Sequence, residues 1–595
     1  MKDFVKYTLA TMCGIFLIHL FAFVLFMVMG SALSFIGSSG SDIKEHSVLR
    51  INMAGTLQEQ SSPADPFTTL VGGENFETQG LSQIVKAIQA AKTDDNIEGI
   101  FLDGGSLSGD VASMQYLRKQ LADFKTSGKW IYAYAEQYGQ SNYYVASVAD
   151  SIVINPLGMI DWRGISSQPI FFTGLMEKLG VKMQVFKVGT YKSAVEPYIL
   201  TKMSDANREQ VSSFIGDIWS VLAADVSKSR KVSVEQLNTY ADSYVTFAET
   251  KDYVKMRLAD RLAYIDEVRT SLSKLTDEDQ VRFVSVGQMA AQQKPKSSSK
   301  QVAVYVAEGS IVDQASSSKF GSESEIVGST VVSDLDALAN DDDVKAVVLR
   351  INSGGGSAYA SEQMWRAIQL LKEKKPVVVS MSGMAASGGY YMSCGANYIF
   401  AEPTTITGSI GIFAMIPDAS QLLNEKLGLS FDVVKTNASS DFAAMGRPFN
   451  AEESEAMQAY VNRGYRLFIS RVAAGRTAAG FKMTLDDVDK IGQGLVWTGQ
   501  QALKLELVDQ LGSMDMAIEK AAELAKMKKD DYAIAQYPAP KEWIEKLMET
   551  AQGDDYLERK LHTTLGEYYE PLRFIRDADR NSMLQARMFY LPNIR

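Results

Sequence analysis

The run Asp94-Asp95-Asn96-Ile97-Glu98-Gly99-Ile100-Phe101-Leu102 recurs 247 positions later as Asp341-Asp342-Asp343-Val344-Lys345-Ala346-Val347-Val348-Leu349. The same spacing carries Tyr143-Tyr144 onto Tyr390-Tyr391, Pro156 onto Pro403 and Gly164 onto Gly411. Further on, Glu177-Lys178-Leu179-Gly180 matches Glu425-Lys426-Leu427-Gly428 at a spacing of 248. Leu258-Ala259-Asp260-Arg261-Leu262 matches Leu507-Val508-Asp509-Gln510-Leu511 at 249. Small loop insertions on a shared scaffold produce such a drift. The period is far beyond the roughly 20–50 residues of solenoid repeats, so the chain is a tandem duplication of one large domain.

Each copy opens on a short strand pattern, residues 48–52 and 302–306, ahead of a glycine turn. Short β-branched runs then alternate with helical patterns. In the second copy, residues 346–351 read as a strand, 361–374 as a helix and 377–381 as a strand, with another helix starting at Ser387. Repeated β–turn–α units imply an α/β fold with a mainly parallel sheet. Residues 204–285 and 450–530 read as helix-rich caps.

The chemistry is divided between the copies. Ser387 lies in Gly383-Met384-Ala385-Ala386-Ser387-Gly388-Gly389-Tyr390-Tyr391, and its counterpart in the first copy is Gln140. Lys192 lies in Gly189-Thr190-Tyr191-Lys192-Ser193-Ala194-Val195-Glu196-Pro197, and its counterpart in the second copy is Ser440. Each copy holds one part of a two-residue machine. The bland alternatives are a small residue at a close helix contact for Ser387 and a surface lysine beside Glu196 for Lys192.

Histidine is nearly absent: His19, His46 and His562 all lie outside the two copies. This disfavours a Ser-His-Asp triad and a histidine metal site. A buried lysine can replace histidine as base, because desolvation disfavours the ammonium form. Ser387 follows a strand where the next helix starts, near the positive end of its dipole. The Gly388 N–H and the run Asn352-Ser353-Gly354-Gly355-Gly356-Ser357 are candidate oxyanion donors. Cys13 lies in an apolar run and Cys394 in the second repeat, so stability is not expected to rest on a disulfide, and Cys394 reads as a buried small residue. A net charge of −11 opposes a nucleic-acid surface.

No charged residue occurs between Lys6 and Asp42. Residues 8–36 exceed the about 20 apolar residues that a bilayer crossing needs and the about 7–15 of a cleaved signal core. Lys2 and Lys6 precede the span, which places the bulk of the chain outside the cytoplasmic membrane. The organisation expected is residues 1–7 in the cytoplasm, an anchor at 8–36, a tether at 37–46, the first repeat at 47–285, a linker at 286–300 and the second repeat at 301–540. A tail with helical patterning fills 541–595.

Taken together, the anchor, both repeats, the Tyr-Lys-Ser-Ala-Val-Glu-Pro segment, Met-Ala-Ala-Ser-Gly-Gly-Tyr and Thr407-Gly408-Ser409-Ile410-Gly411-Ile412 resemble the signal peptide peptidase A family in its long tandem form. That resemblance implies a duplicated Clp protease/crotonase-like β-α superhelix behind one transmembrane helix. It implies Ser387 as nucleophile, Lys192 as general base, Ser409 as the residue steadying the lysine, and Gly355 and Gly388 as the oxyanion hole. It further implies a homotetramer at the bacterial inner membrane that cuts remnant signal peptides and other short or unfolded apolar peptides, with no metal or organic cofactor. The family shows proline where this chain has Gly354. Glycine loosens that loop, so activity is expected to benefit from substrate-induced ordering. Two rival readings are a crotonase-type acyl-CoA enzyme and a non-catalytic membrane-tethered scaffold.

Overall fold

The duplicated run occupies the same register in two separate sheets. In the first, strand Ser47–Gln58 pairs in parallel with Ile97–Ser108, with Val48 opposite Gly99. In the second, Gln301–Glu308 pairs in parallel with Val344–Ser353, with Val302 opposite Ala346. The far edges match too: Val153 stands opposite Arg261 in one, Phe400 opposite Gln510 in the other. The drift in spacing read from the sequence is therefore absorbed between these edge pairs. The computed structural model describes residues 6–7, 14–15, 17–18, 20–21, 43–60, 78–293, 298–315, 324–529, 531–538 and 583–588.

The first sheet runs Thr78–Gly80, Ser47–Gln58, Ile97–Ser108, Trp130–Tyr138, Ser151–Ile160, Arg261–Leu262, all parallel, with Arg282–Ser285 also on Ser47–Gln58. The second runs Val496–Thr498, Ile406–Gly408, Val377–Ala386, Val344–Ser353, Gln301–Glu308, Ala533–Tyr537. Here Tyr398–Ala401 branches off Val377–Ala386, and only the Val496–Thr498 pairing is antiparallel. All ten residues of Val377–Ala386 are buried. A parallel strand covered on both faces reads as a continuous apolar run rather than an alternating one, and Val377-Val378-Val379 begins that run.

A third sheet joins the repeats. Its order is Glu325–Val327, Ser310–Val312, Gly355–Ser357, Gln585–Arg587, Phe413–Asp418, Lys182–Lys187. Lys182–Lys187 of the first repeat lies antiparallel to Phe413–Asp418 of the second over six paired positions. The mainly parallel expectation thus holds for the two core sheets and not for this one. Strands from different repeats need no right-handed crossover between them, so nothing forces them parallel.

The caps are led by helices Asp205–Arg230 and Ala451–Ala478, whose N-caps Ser204 and Asn450 accept from the N–H groups of Asn207 and Glu453. The same regions also return short strands to the sheets, which the helical reading missed. The expected linker starts late: Val286–Gln292 is a helix, and its Met289 is fully buried in the first core. Where the repeats meet, Arg350 of the second grips Glu59 of the first. Its Nε and Nη2 donate to Oε2 and Oε1 at 2.9 and 3.0 Å.

The anchor at 8–36 and the tail at 541–595 fall almost wholly outside the described residues. Among the described residues no helix is long and apolar enough to cross a membrane. The described part of the tail, 583–588, holds a strand, Gln585–Arg587, not a helix.

Candidate active site

Ser387 sits between the buried strand Val377–Ala386 and the helix Gly388–Ser393. Its backbone has φ +55° and ψ −110°, a region that costs a non-glycine residue about 1–3 kcal/mol. Two hydrogen bonds hold the turn: Ser387 N–H donates to Gly408 O, and Tyr391 N–H donates to Ser387 O, each at 2.8 Å. Behind them the Tyr390 hydroxyl donates to Leu507 O at 2.8 Å. Gly388 opens the helix, so its N–H has no intrahelical acceptor and stands beside the serine.

Lys192 reaches Ser387 from the other repeat within the same chain. Its Nζ lies 2.8 Å from Ser387 Oγ, 3.0 Å from Ser409 Oγ and 3.1 Å from Ser409 O. Lys192 is 1% exposed and Ser387 0%. Burial alone pulls the Lys192 ammonium down to about 7. A neutral amine has two N–H donors and one lone pair. Ser409 offers two acceptors, which leaves the lone pair to face the Ser387 hydroxyl. Glu196 gives Lys192 no counter-charge: it accepts from Ser204 N–H, Ser204 Oγ and Asn207 Nδ2.

Glycines make room for the lysine loop. A Cβ on Gly494, whose φ is +85°, would stand 2.5 Å from Lys192 N. One on Gly411 would stand 3.0 Å from Lys192 Cδ. Tyr191 N–H donates to Gln493 O at 3.0 Å, and Gly494 N–H to Ile410 O at 2.8 Å. The sequence offered only a weak signal for this seat, the Gly492-Gln493-Gly494 run before a strand.

The structure brings Ser387, Lys192, Ser409, Gly355 and Gly388 together, with one change of detail. The Gly355 N–H is already donated to Ser353 Oγ at 3.1 Å, and its φ is +91°. Gly355 therefore shapes the cleft with its bare Cα: a Cβ there would stand 2.6 Å from Gly388 N. The next residue, Gly356, lies opposite Ala586 of the tail strand in an antiparallel ladder. Two positions away on either side, Ala358 N–H donates to Leu584 O and Met588 N–H to Gly354 O. Hydrogen-bonded and open pairs alternate in such a ladder, so Gly356 and Ala586 form a bonded pair with the Gly356 N–H turned to the cleft. Gly354 is not among the glycines with positive φ. Cys394 is buried, and burial pushes its thiol up to about 12, which leaves it inert.

The profile of Peptidase family S49 matches residues 123–279 and 369–528, and that of Clp protease matches residues 319–405. Protease 4 of Salmonella typhi is 37% identical, covering 85% of this chain and 83% of that protein. Protease 4 of Haemophilus influenzae is 32% identical over 85% of this chain and 84% of its own length. The chloroplastic serine protease SPPA of Arabidopsis thaliana is 30% identical over 81% of this chain and 70% of its own length. A duplicated α/β domain with these relatives defines a serine protease. The chain belongs to peptidase family S49, in the tandem form that carries the domain twice.

Proposed function

We propose that Ser387 is the nucleophile and Lys192 the general base of a membrane-anchored endopeptidase. The observation that carries this reading is the 2.8 Å approach of the buried Lys192 Nζ to Ser387 Oγ. A lysine brought to about 7 is neutral often enough near neutral pH to accept the serine proton. Ser387 Oγ attacks the peptide carbonyl, and the amine leaves with the proton held on Lys192. Water then hydrolyses the acyl-enzyme. The Gly388 and Gly356 N–H groups receive the oxyanion, while Gly355 keeps the space between them clear. An extended peptide adds as a strand beside Gly355–Ser357, which favours short or unfolded chains over folded ones.

The apolar span at 8–36 supports an inner-membrane anchor with the catalytic part on the extracytoplasmic side. It keeps the site near remnant signal peptides, the substrate class the family resemblance implies. Assembly into a homotetramer belongs to the same reading.

The test is cleavage of an apolar fluorogenic peptide by the soluble fragment starting near His46. Ser387→Ala and Lys192→Ala are each expected to abolish turnover with the fold intact. Full activity in Lys192→Ala would place the base elsewhere.

A further inference from the structure

Gln210 sits in the second turn of the helix Asp205–Arg230 and is 4% exposed. Its amide straddles the base: Nε2 donates to Tyr191 O at 3.0 Å and to Ser193 Oγ at 2.8 Å, the residues on either side of Lys192. A third acceptor, Asn207 Oδ1, lies 3.1 Å from the same nitrogen. Three acceptors on one side fix which way the amide faces. Oε1 is turned away from them, and it meets no donor among the described residues. A buried acceptor left in this way is destabilising unless something donates to it.

Beside it lies a cavity of about 20 Å³, lined by Gln210 together with Lys192 and Ser409. Roughly 10–15 Å³ is enough for one water. Arg587 and Met588 line the cavity too. They follow Ala586, whose carbonyl oxygen lies 2.1 Å from where a Cβ on Gly355 would stand and 3.1 Å from one on Gly388. For a peptide carbonyl held at those glycines, the cavity is therefore on the side from which the amine half departs. Hydrolysis of an acyl-enzyme retraces acylation with water in place of the amine, so water enters on that side. The duplication supports the pairing of amide and base. Gln210 is six residues past the N-cap Ser204, and six past the N-cap Asn450 stands Ala456. The second copy, with serine in place of Lys192, has alanine in place of Gln210.

We propose that Gln210 positions the water that hydrolyses the acyl-enzyme. The inference rests on the Ser387/Lys192 reading. Before acylation the serine hydroxyl occupies the Lys192 lone pair, so Gln210 takes no part in the first step. Once Ser387 is acylated, its Oγ is an ester oxygen without a proton, and the lone pair is free for a water. That water donates one hydrogen to Gln210 Oε1 and the other to Lys192 Nζ, which turns its own lone pairs toward the ester carbon. The water oxygen bonds to that carbon as the second proton passes to Lys192. The C–O bond to Ser387 then breaks, and Ser387 Oγ takes the proton back from Lys192. The acyl half leaves as a carboxylic acid, which loses its remaining proton to solvent.

The experiment uses the purified full chain and the p-nitrophenyl ester of an N-blocked alanine, with wild type, Gln210→Met, Gln210→Glu and Ser387→Ala side by side. Methionine keeps the length and removes both acceptor and donors. Glutamate keeps an acceptor oxygen and removes the donors. Gln210→Met is expected to lower kcat about tenfold, the worth of one hydrogen bond, and to lower KM with it. The ratio kcat/KM, which reports acylation, should stay at the wild-type value. Stopped-flow traces should then show a burst of p-nitrophenolate, and intact mass an acyl adduct that outlasts the one on wild type. The adduct on Gln210→Glu should decay faster than that on Gln210→Met. A fall in kcat/KM as large as that in kcat would show that Gln210 only holds the lysine loop, which overturns the inference. Equal decay in the Met and Glu variants overturns it too, by assigning the role to the donors on Tyr191 and Ser193. Adduct lifetimes unchanged in both variants overturn it and leave the dyad standing. Wild-type turnover that survives in Ser387→Ala overturns the dyad itself.

Discussion

Gly494 and Lys192, from different repeats, touch backbone to backbone: a Cβ added to Gly494 would stand 2.5 Å from Lys192 N and 2.6 Å from its Cα. Neither neighbour is a flexible side-chain end, so a larger residue must push the lysine loop away. The φ of +85° at Gly494 adds strain for any L side chain. Gly494→Ala is therefore expected to lower kcat by about 10²-fold or more, the scale of a ~1 Å misplacement of a catalytic group. KM is expected to change little, because the strand proposed to pair with peptide, Gly355–Ser357, is not moved. Steady-state kinetics of the purified variant check this, and wild-type kcat would sink the argument.

The proposed base also sets an expected pH profile. Burial brings Lys192 down to about 7, and in the proposed dyad only its neutral form would take the serine proton. Below that pH the rate should fall tenfold per pH unit, and above it the rate should level off. A rate that keeps climbing toward the ordinary lysine range near 10.5 would show that the amine is not desolvated during turnover. Such a profile needs no histidine, and in the sequence the three histidines lie outside both repeats.

Much of this site was legible because it is written in local motifs. The strand–turn–helix around Ser387, the Gly-rich turn before it and the lysine in the opposite repeat each rest on residues adjacent in sequence. What escaped was contact between distant segments. Nothing near Gly494 announces that Lys192 will press on it. The Gly355 N–H is taken up by the Ser353 hydroxyl, a contact that the glycine run by itself does not announce. The strand at Gln585–Arg587 carries little β propensity of its own; pairing on both sides, to Gly355–Ser357 and Phe413–Asp418, imposes the extended form. The third sheet was invisible for the same reason, since a period-2 pattern does not name its partners.

Lys192 should carry a stability signature as well. Its folded pKa lies below the unfolded value near 10.5. Below about 7 the folded state holds a buried ammonium, and its full desolvation penalty is present. Between about 7 and 10.5 the unfolded state binds more protons, so stability from this group rises with pH. Lys192→Met is expected to be inactive but to melt at a higher temperature than wild type at pH 6. The gap should close as pH approaches 10. A gap independent of pH would mean that methionine acts through packing alone. Ser387→Ala, which keeps the lysine, is the control and should retain the wild-type trend.

The joint between the repeats rests on a charge pair that burial makes two-edged. Glu59 accepts from Arg350 Nε and Nη2, and Arg350 Nη1 and Nη2 also donate to Ser380 Oγ and Ser382 Oγ at 3.0 and 2.9 Å. Both side chains are almost wholly buried, Arg350 at 1% and Glu59 at 4% exposure. Glu308 lies close by, and burial, with the Glu59 charge as the next contribution, lifts its carboxyl to about 7. Removing one partner leaves an uncompensated charge in a low-dielectric joint, at a cost of about 3–5 kcal/mol. Glu59→Gln alone should thus lower the melting temperature sharply. Replacing both partners with apolar residues of similar volume is often neutral, so Glu59→Leu with Arg350→Met should recover most of the loss. In Glu59→Gln the repulsion on Glu308 is gone and Arg350 is free to attract it, so Glu308 should ionise below its wild-type value of about 7 and blunt the defect as pH rises toward 7. Thermal melts of the three chains across pH 6 to 8 test both statements. Equal losses in the single and double variants would show that the pair itself, rather than the orphaned charge, holds the repeats together.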